Sequence, residues 1–135
     1  MENLKIRNYT IKASTGREVW NVWGDNALRY RFKITVKNEK TGAITYFNFY
    51  GSIKDYEEGK NELNKEDLKV AFWCFLQDAE DGKMDFDEFL ASFGYEEKEG
   101  RKIWKACQNQ LEKCERLGLN EDLRTDLLNN ELANV

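Results

Sequence analysis

A ten-residue segment in the first half of the chain constrains the fold most, because its apolar and polar residues alternate without exception. From Leu28 to Lys37, apolar residues occupy every second position, and Arg, Lys or Thr occupies each position between them. In a β-strand this period of two places all the apolar side chains on one face. The segment therefore predicts a half-buried strand, which is typical of an antiparallel sheet with one solvated face.

Three neighbouring segments predict the rest of this sheet, since each has strand-like composition and ends at a turn signal. They are Leu4–Ala13, Arg17–Trp23 and Ile44–Tyr50. The last follows a hairpin-like connection at residues 38–42. We expect an N-terminal antiparallel meander of three or four strands.

After Gly51 the hydrophobic period changes to that of helices. The predicted helices cover residues 52–58, 64–79, 86–93 and 101–117, with a last one beginning at Asn120. Strands followed by helices are typical of an α+β fold. We predict one domain of residues 1–135, in which strand-rich residues 1–51 pack against four or so helices from the helix-rich residues 52–135.

Several catalytic chemistries are excluded by composition. The chain has no histidine, which removes Ser-His-Asp and Cys-His nucleophile systems and His-containing zinc sites. Its glycines are scattered, so none forms a phosphate-binding loop, and no pair of carboxylates with a lysine lies on a predicted strand. We therefore expect a protein that is not an enzyme and that carries no cofactor or metal.

The cysteines and the hydropathy pattern bear on location. Three cysteines, an odd number, lie in helical segments, which indicates buried free thiols in a reducing compartment. No stretch approaches the roughly 18 apolar residues of a membrane span, and the first residues lack the apolar run of a signal peptide. We expect a cytoplasmic protein that does not contact membranes.

The charge is divided unevenly along the chain. Residues 1–60 carry 11 basic and 7 acidic residues, whereas residues 61–135 carry 10 and 18. An acidic stretch of this kind is either a solvated surface or a surface that engages a basic groove on a partner. The members we select as a partner-binding acidic surface are Asp78, Glu80, Asp81, Asp87, Glu96, Glu97 and Glu99.

Trp73 has two interpretations. It lies in the apolar helical segment Val70–Leu76 but projects on the polar side of that helix. Either a second layer of the fold covers it, or it is an exposed aromatic anchor for a partner, added to the acidic surface.

The polar face of the predicted sheet offers an alternative site. Cations interleaved with aromatic rings on an open sheet bind single-stranded nucleic acid through phosphate contacts and base stacking. The residues that would form this face are Arg29, Arg31, Lys33, Lys37, Tyr46 and Tyr50. Solvated faces of antiparallel sheets are also commonly rich in Lys, Arg and Tyr, so a purely structural role stays open.

The segment Gln77–Phe89 partly matches a calcium-binding loop, with Gly82 at the sixth position and Glu88 at the twelfth. Gln77 and Ala79, however, would occupy the first and third positions, where acidic ligands are required. A turn followed by a helix cap explains the same residues, and we expect no metal here.

Several segments together resemble small proteins encoded by bacteriophages and prophages of Gram-positive bacteria. They are IRNYTI (6–11), RYRFKITV (29–36), GSIKDYEEGK (51–60), FGYEE (93–97) and IWKACQNQLEKCERL (103–117). The resemblance implies a phage protein inside a bacterial host cell that inhibits a host-defence complex, such as a CRISPR–Cas nuclease, by stoichiometric binding. The partner would be a host protein or nucleoprotein complex. A nucleic-acid-binding accessory protein is the alternative, and a head-to-tail homodimer of the basic and acidic surfaces is a further option.

Overall fold

A computed structural model describes residues 2–134 of the chain. The strands in this part are β1 (Leu4–Ile6), β2 (Tyr9–Ala13), β3 (Arg17–Trp20), β4 (Leu28–Asn38) and β5 (Ile44–Tyr50). The helices are α1 (Ile53–Glu57), α2 (Lys65–Asp81), α3 (Phe86–Phe93), α4 (Glu97–Arg116) and α5 (Glu121–Asp126), followed by a π-helical turn (Leu127–Glu131). The predicted α+β class, with strands first and helices after, is confirmed.

The chain divides between Ala71 and Phe72 into two compact units. The first contains the sheet, α1 and the beginning of α2. The second contains the remainder of α2 and the helices that follow it. Each unit has its own contacts, and each is described by itself below.

The sheet of the first unit is antiparallel and is centred on β4. One edge of β4 pairs with β3 along residues 28–31 and with β2 along residues 34–38, while β5 pairs with the other edge. A meander in which each strand pairs with the next was expected, but β2 pairs with β4 instead of β3. Because β4 has eleven residues, β3 and β2 can pair with successive parts of the same edge.

The predicted single strand at Leu4–Ala13 is wrong, because the chain reverses within it. Arg7 has a left-handed backbone with φ of 51°, and β1 and β2 form a tight hairpin in which Ile6 lies opposite Tyr9. The buried apolar residues change from even to odd numbers across this turn. That change of parity is the sequence signal for the hairpin.

The alternation along β4 produces the core of the first unit. Phe32, Ile34 and Val36 are buried, and so are Ile11 of β2 and Phe47 of β5. The register places Ile11 opposite Val36 and Phe47 opposite Ile34, so these side chains share one face of the sheet. The predicted half-buried strand is confirmed, and its polar residues lie on the opposite face.

The second unit is held together by contacts between helices. α2 closely approaches α4 where Gly82 follows α2: an added Cβ on Gly82 would lie 2.5 Å from the carbonyl oxygen of Cys107. The Trp104 indole of α4 donates a hydrogen bond to the Met84 carbonyl at 2.8 Å. The buried Arg124 of α5 donates to Glu80 of α2 at 2.7 Å.

Most predicted helix starts are confirmed by side-chain caps. Asp85 accepts a hydrogen bond from the Glu88 amide at 2.8 Å, and Asn120 accepts one from the Leu123 amide at 2.9 Å. Such caps satisfy amides that have no partner within the helix. α4 is longer than predicted, since it begins at Glu97. None of the helices within residues 2–134 has the length and apolar content to cross a bilayer.

Candidate functional site

The solvated face of the sheet carries nearly all the charge of the five strands. These strands contain seven basic residues and one acidic residue, Glu18. The register places all seven bases on the same face, because directly opposed residues of adjacent strands point the same way. We call this set the basic face: Lys5, Lys12, Arg17, Arg29, Arg31, Lys33 and Lys37.

The strand β5 adds aromatic and amide groups to the basic face. Tyr50 lies opposite Arg31, and Asn48 lies opposite Lys33. Tyr46 is also on this side of the sheet, with the Lys33 ammonium 4.5 Å from its ring centroid. The cations and tyrosines that the sequence selected as an alternative site are therefore brought onto one continuous surface.

A groove of about 500 Å³ crosses the middle of this face. Its lining residues are Ser14, Arg17, Arg31, Lys33, Tyr46 and Asn48. Arg17 and Arg31 lie directly opposite each other across β3 and β4, an arrangement of like charges that destabilises a sheet. Within residues 2–134, no carboxylate lies within 4.0 Å of the charged groups of Arg17, Arg31 or Lys33. The groove is thus a cationic site that a bound anion would stabilise.

Two of the predicted cations, by contrast, have carboxylate partners. Arg29 forms an ion pair with Asp25 at 2.5 Å, and its hydrogen bond holds the pKa of Asp25 below its usual value. Lys37 lies 3.6 Å from the carboxylate of Glu39. Of the four predicted cations, only Arg31 and Lys33, which line the groove, have no carboxylate partner within residues 2–134.

Two aromatic rings on this side of the sheet are open to solvent. Tyr46 is 54% exposed and Trp23, in the loop between β3 and β4, is 63% exposed. The Trp23 ring packs edge-on against Tyr50 at 5.7 Å, and the Arg29 guanidinium lies 4.4 Å from its centroid. Both rings offer surface on which a planar ligand can stack.

Four of these residues, Ser14, Arg17, Trp23 and Asn48, were not selected from the sequence as site residues. The strand β3 has only four residues, too few for its alternation to be distinctive. Trp23 is positioned by a loop in which Asn21 has φ of 59°. Only the pairing of β3 with β4 brings Arg17 to Arg31.

The acidic surface is divided into an engaged part and an exposed part. Asp78, Glu80 and Asp81 are half-buried. Glu80 accepts from Arg124, which is only 3% exposed, and lies 3.1 Å from the Lys83 ammonium. Of these three, Glu80 therefore holds its charge in ion pairs within the second unit.

The exposed part includes three glutamates that follow two exposed aromatic residues in the sequence. Asp87, Glu96, Glu97 and Glu99 are exposed, although Glu97 lies 3.6 Å from the Arg101 guanidinium. Phe93 and Tyr95, which immediately precede these glutamates, are 44% and 38% exposed, with their ring centroids 6.2 Å apart. Trp73 was predicted to be either covered by the fold or exposed as an anchor for a partner, and it is half-buried.

The partial match to a calcium loop has a structural explanation. Gln77 and Ala79, at its first and third positions, lie within α2, and Ala79 is buried. A glycine is required at position 82 because a side chain there would collide with the α4 backbone. Asp85 caps α3. These residues form the end of one helix and the start of the next.

One cluster in the second unit has ligand atoms close enough to hold a cation. A carboxylate oxygen of Asp78, one of Asp81 and the Cys107 sulfur lie within 4.8 Å of one another. Burial and the two neighbouring carboxylates raise the pKa of Cys107 to about 12, so its thiol is protonated at neutral pH. Metals bind the thiolate, so loading this cluster would require removal of that proton.

Asp78 is expected to reduce stability at neutral pH. Burial, with a smaller contribution from Asp81, raises its pKa from 3.8 to about 6. The folded state then binds more protons than the unfolded state between these values, and the free energy of unfolding contributed by Asp78 falls as pH rises. Asp78→Asn should stabilise the protein at pH 7.5 by about 1–2 kcal/mol and have little effect at pH 4.

Urea denaturation at both pH values measures this difference. The matched control is Glu62→Gln at an exposed carboxylate outside the helices and strands, which should leave the free energy of unfolding nearly unchanged at both pH values. Equal effects of Asp78→Asn at pH 4 and pH 7.5 would contradict the expectation.

The three cysteines are free thiols, as predicted, although Cys74 is only half-buried. Burial raises the pKa of both Cys107 and Cys114 to about 12. Because the thiolate is the reactive form, alkylation of these two at pH 8 should be at least about 100-fold slower in the native protein than in urea. Mass spectrometry of timed iodoacetamide reactions measures both rates, and equal rates would contradict the burial.

Comparison with known proteins adds no relative: no family model, curated protein or solved structure matches this chain.

Proposed function

We propose that the protein binds single-stranded nucleic acid on the basic face. The observation that carries this proposal is the groove in which Arg17, Arg31 and Lys33 lie together without a carboxylate partner among residues 2–134, beside the exposed ring of Tyr46. Three cations in one groove attract the phosphates of a nucleic-acid backbone, and release of the condensed counterions favours binding.

The aromatic residues favour a single strand over a duplex. Tyr46 and Trp23 are exposed on the same side of the sheet, and unpaired bases stack on such rings with about 1–3 kcal/mol each. In a duplex the base faces are already stacked and only the phosphates remain accessible. Asn48, on the groove wall, adds an amide that can donate to and accept from base edges.

Fluorescence anisotropy with short labelled oligonucleotides tests the proposal. The protein should bind single-stranded DNA or RNA more tightly than the corresponding duplex. Removing both rings by Trp23→Ala and Tyr46→Ala should weaken single-strand binding by about tenfold or more, while binding of heparin, a polyanion without bases, should change little. If neither single-stranded DNA nor single-stranded RNA binds at low salt, the proposal is refuted.

We propose as a second candidate function that the exposed acidic residues bind a basic surface of a host protein or nucleoprotein complex. The observation that favours it is the pair of exposed rings, Phe93 and Tyr95, adjoining Glu96, Glu97 and Glu99. Aromatic anchors bordered by charge are typical of binding hot spots. Non-enzymatic inhibition of a defence complex in the cytoplasm of a bacterial host, as the phage resemblance implies, would use this surface.

Affinity capture from a bacterial lysate separates this candidate from the first. Glu96→Lys with Glu97→Lys should abolish recovery of one protein partner in nuclease-treated lysate. The matched control, Glu112→Lys with Glu115→Lys, makes the same charge change at exposed positions further along α4. Equal recovery with both variants would eliminate the acidic residues as the docking site.

A further inference from the structure

The strand β5 is longer than the other strands that have a single partner, and unlike them it has no charged residue. Within residues 2–134, β1, β3 and β5 each pair with one strand only. The strand β1 has three residues and includes Lys5, and β3 has four and includes Arg17 and Glu18. Short length and charge are the features that protect sheet edges from pairing. The strand β5 has seven residues, ITYFNFY, with no charge, proline or glycine.

The hydrogen-bond pattern shows which residues of β5 face outward. The Gly51 amide donates to Tyr30 at 2.9 Å, and the Asn38 amide donates to Ala43 at 2.9 Å. Odd-numbered positions from 43 to 51 thus direct their main-chain groups toward β4. Ile44, Asn48 and Tyr50 direct their amides and carbonyls toward the opposite edge.

We propose that this edge pairs antiparallel with the same edge of a second copy of the chain. Two identical antiparallel edges are complementary under a two-fold axis, which closes the assembly as a dimer. Because β5 has no charged residue, the pairing brings no like charges together. It would also cover Ile44, which is among the exposed large apolar residues of the chain.

The pairing would join the two sheets into one. In the dimer, the residues of β5 that direct their main-chain groups outward pair with the same set of residues in the second copy. Since paired residues place their side chains on the same face, corresponding faces of the two sheets lie on the same side. The basic faces of the two copies would then be continuous across the dimer axis. This consequence, unlike the dimer itself, rests on the proposed function: one nucleic-acid strand could contact both grooves and gain avidity.

Sedimentation equilibrium without nucleic acid tests the dimer. The wild-type protein should have twice the 15.9 kDa mass of one chain. Asn48→Pro removes an outward amide without removing a bond to β4, and Asn48→Lys places a charge on the edge. Both should remain folded, as judged by circular dichroism, and sediment as monomers.

The matched control is Thr35→Lys, which adds the same charge to the same face on the central strand β4. This variant should remain dimeric. A wild-type protein of monomer mass at every concentration, or dimers that persist in both Asn48 variants, would overturn the proposal. Since the sedimentation experiment contains no nucleic acid, neither of these results bears on nucleic-acid binding, which the fluorescence anisotropy experiment tests separately.

Discussion

Replacing both groove cations of β4 by Arg31→Glu and Lys33→Glu is expected to weaken single-strand binding by about 100-fold, or about 2.7 kcal/mol. The substitutions remove two phosphate contacts and add two negative charges where a phosphate backbone would lie. Neither Arg31 nor Lys33 has a carboxylate partner among residues 2–134, so no ion pair within this part of the fold is lost. Fluorescence anisotropy at constant salt measures the change.

The stability of this variant, unlike its affinity, should stay close to that of the wild type. Arg17 lies directly opposite Arg31, and an opposite charge at position 31 would replace a repulsive pair by an attractive one worth about 0.2–1 kcal/mol. Lys33→Glu removes the contact between the Lys33 ammonium and the Tyr46 ring, worth about 0.5–1 kcal/mol, which offsets this gain. The variant should therefore unfold close to the wild-type temperature while its affinity for nucleic acid is reduced. Lys102→Glu with Lys105→Glu, at exposed positions on α4, is the control for net charge and should retain affinity. Equal loss in both variants would show that total charge, and not the groove, governs binding.

The second large effect is expected from Gly82→Ala, which should destabilise the protein by about 2–4 kcal/mol. The added Cβ would lie 2.5 Å from the Cys107 oxygen, 2.7 Å from its carbonyl carbon and 2.9 Å from the Gln108 nitrogen. All three are backbone atoms of α4, so no side chain can rotate away and the helices must separate. Chemical denaturation measures the loss.

Gly51→Ala is the matched control for this substitution. Its added Cβ would find its nearest atom, in the Phe32 ring, at 3.6 Å, an ordinary van der Waals distance. We expect the free energy of unfolding to change by less than about 1 kcal/mol. Part of this change comes from the smaller backbone entropy of the unfolded chain when glycine is replaced by alanine. A Gly82→Ala protein as stable as the wild type would show that α2 and α4 can separate without loss of packing.

Local sequence patterns predicted the parts of the fold whose causes are local. The alternation from Leu28 to Lys37 identified β4 and its buried face. The caps at Asp85 and Asn120 identified two helix starts. These features depend on residues within a few positions of each other, which is the range over which side-chain periodicity and capping act.

The composition of the candidate site could be predicted only in part, because strand pairing is not local. Arg31 and Lys33 were selected from their own strand, but Arg17 joins them only through the β3–β4 register. The engagement of Glu80 depends on Arg124, which is distant in sequence. A count of charges could not show that Arg31 and Lys33 have no carboxylate partner within residues 2–134 while Glu80 is engaged by Arg124.

The salt dependence of single-strand affinity tests the central claim most directly. With Arg17, Arg31 and Lys33 neutralising phosphates, the logarithm of the association constant should fall with the logarithm of salt concentration with a slope of about −2. In the Arg31→Glu and Lys33→Glu variant the slope should become shallower by about 1.4. A wild-type slope near zero, or the same slope in the variant, would contradict binding of nucleic acid in this groove.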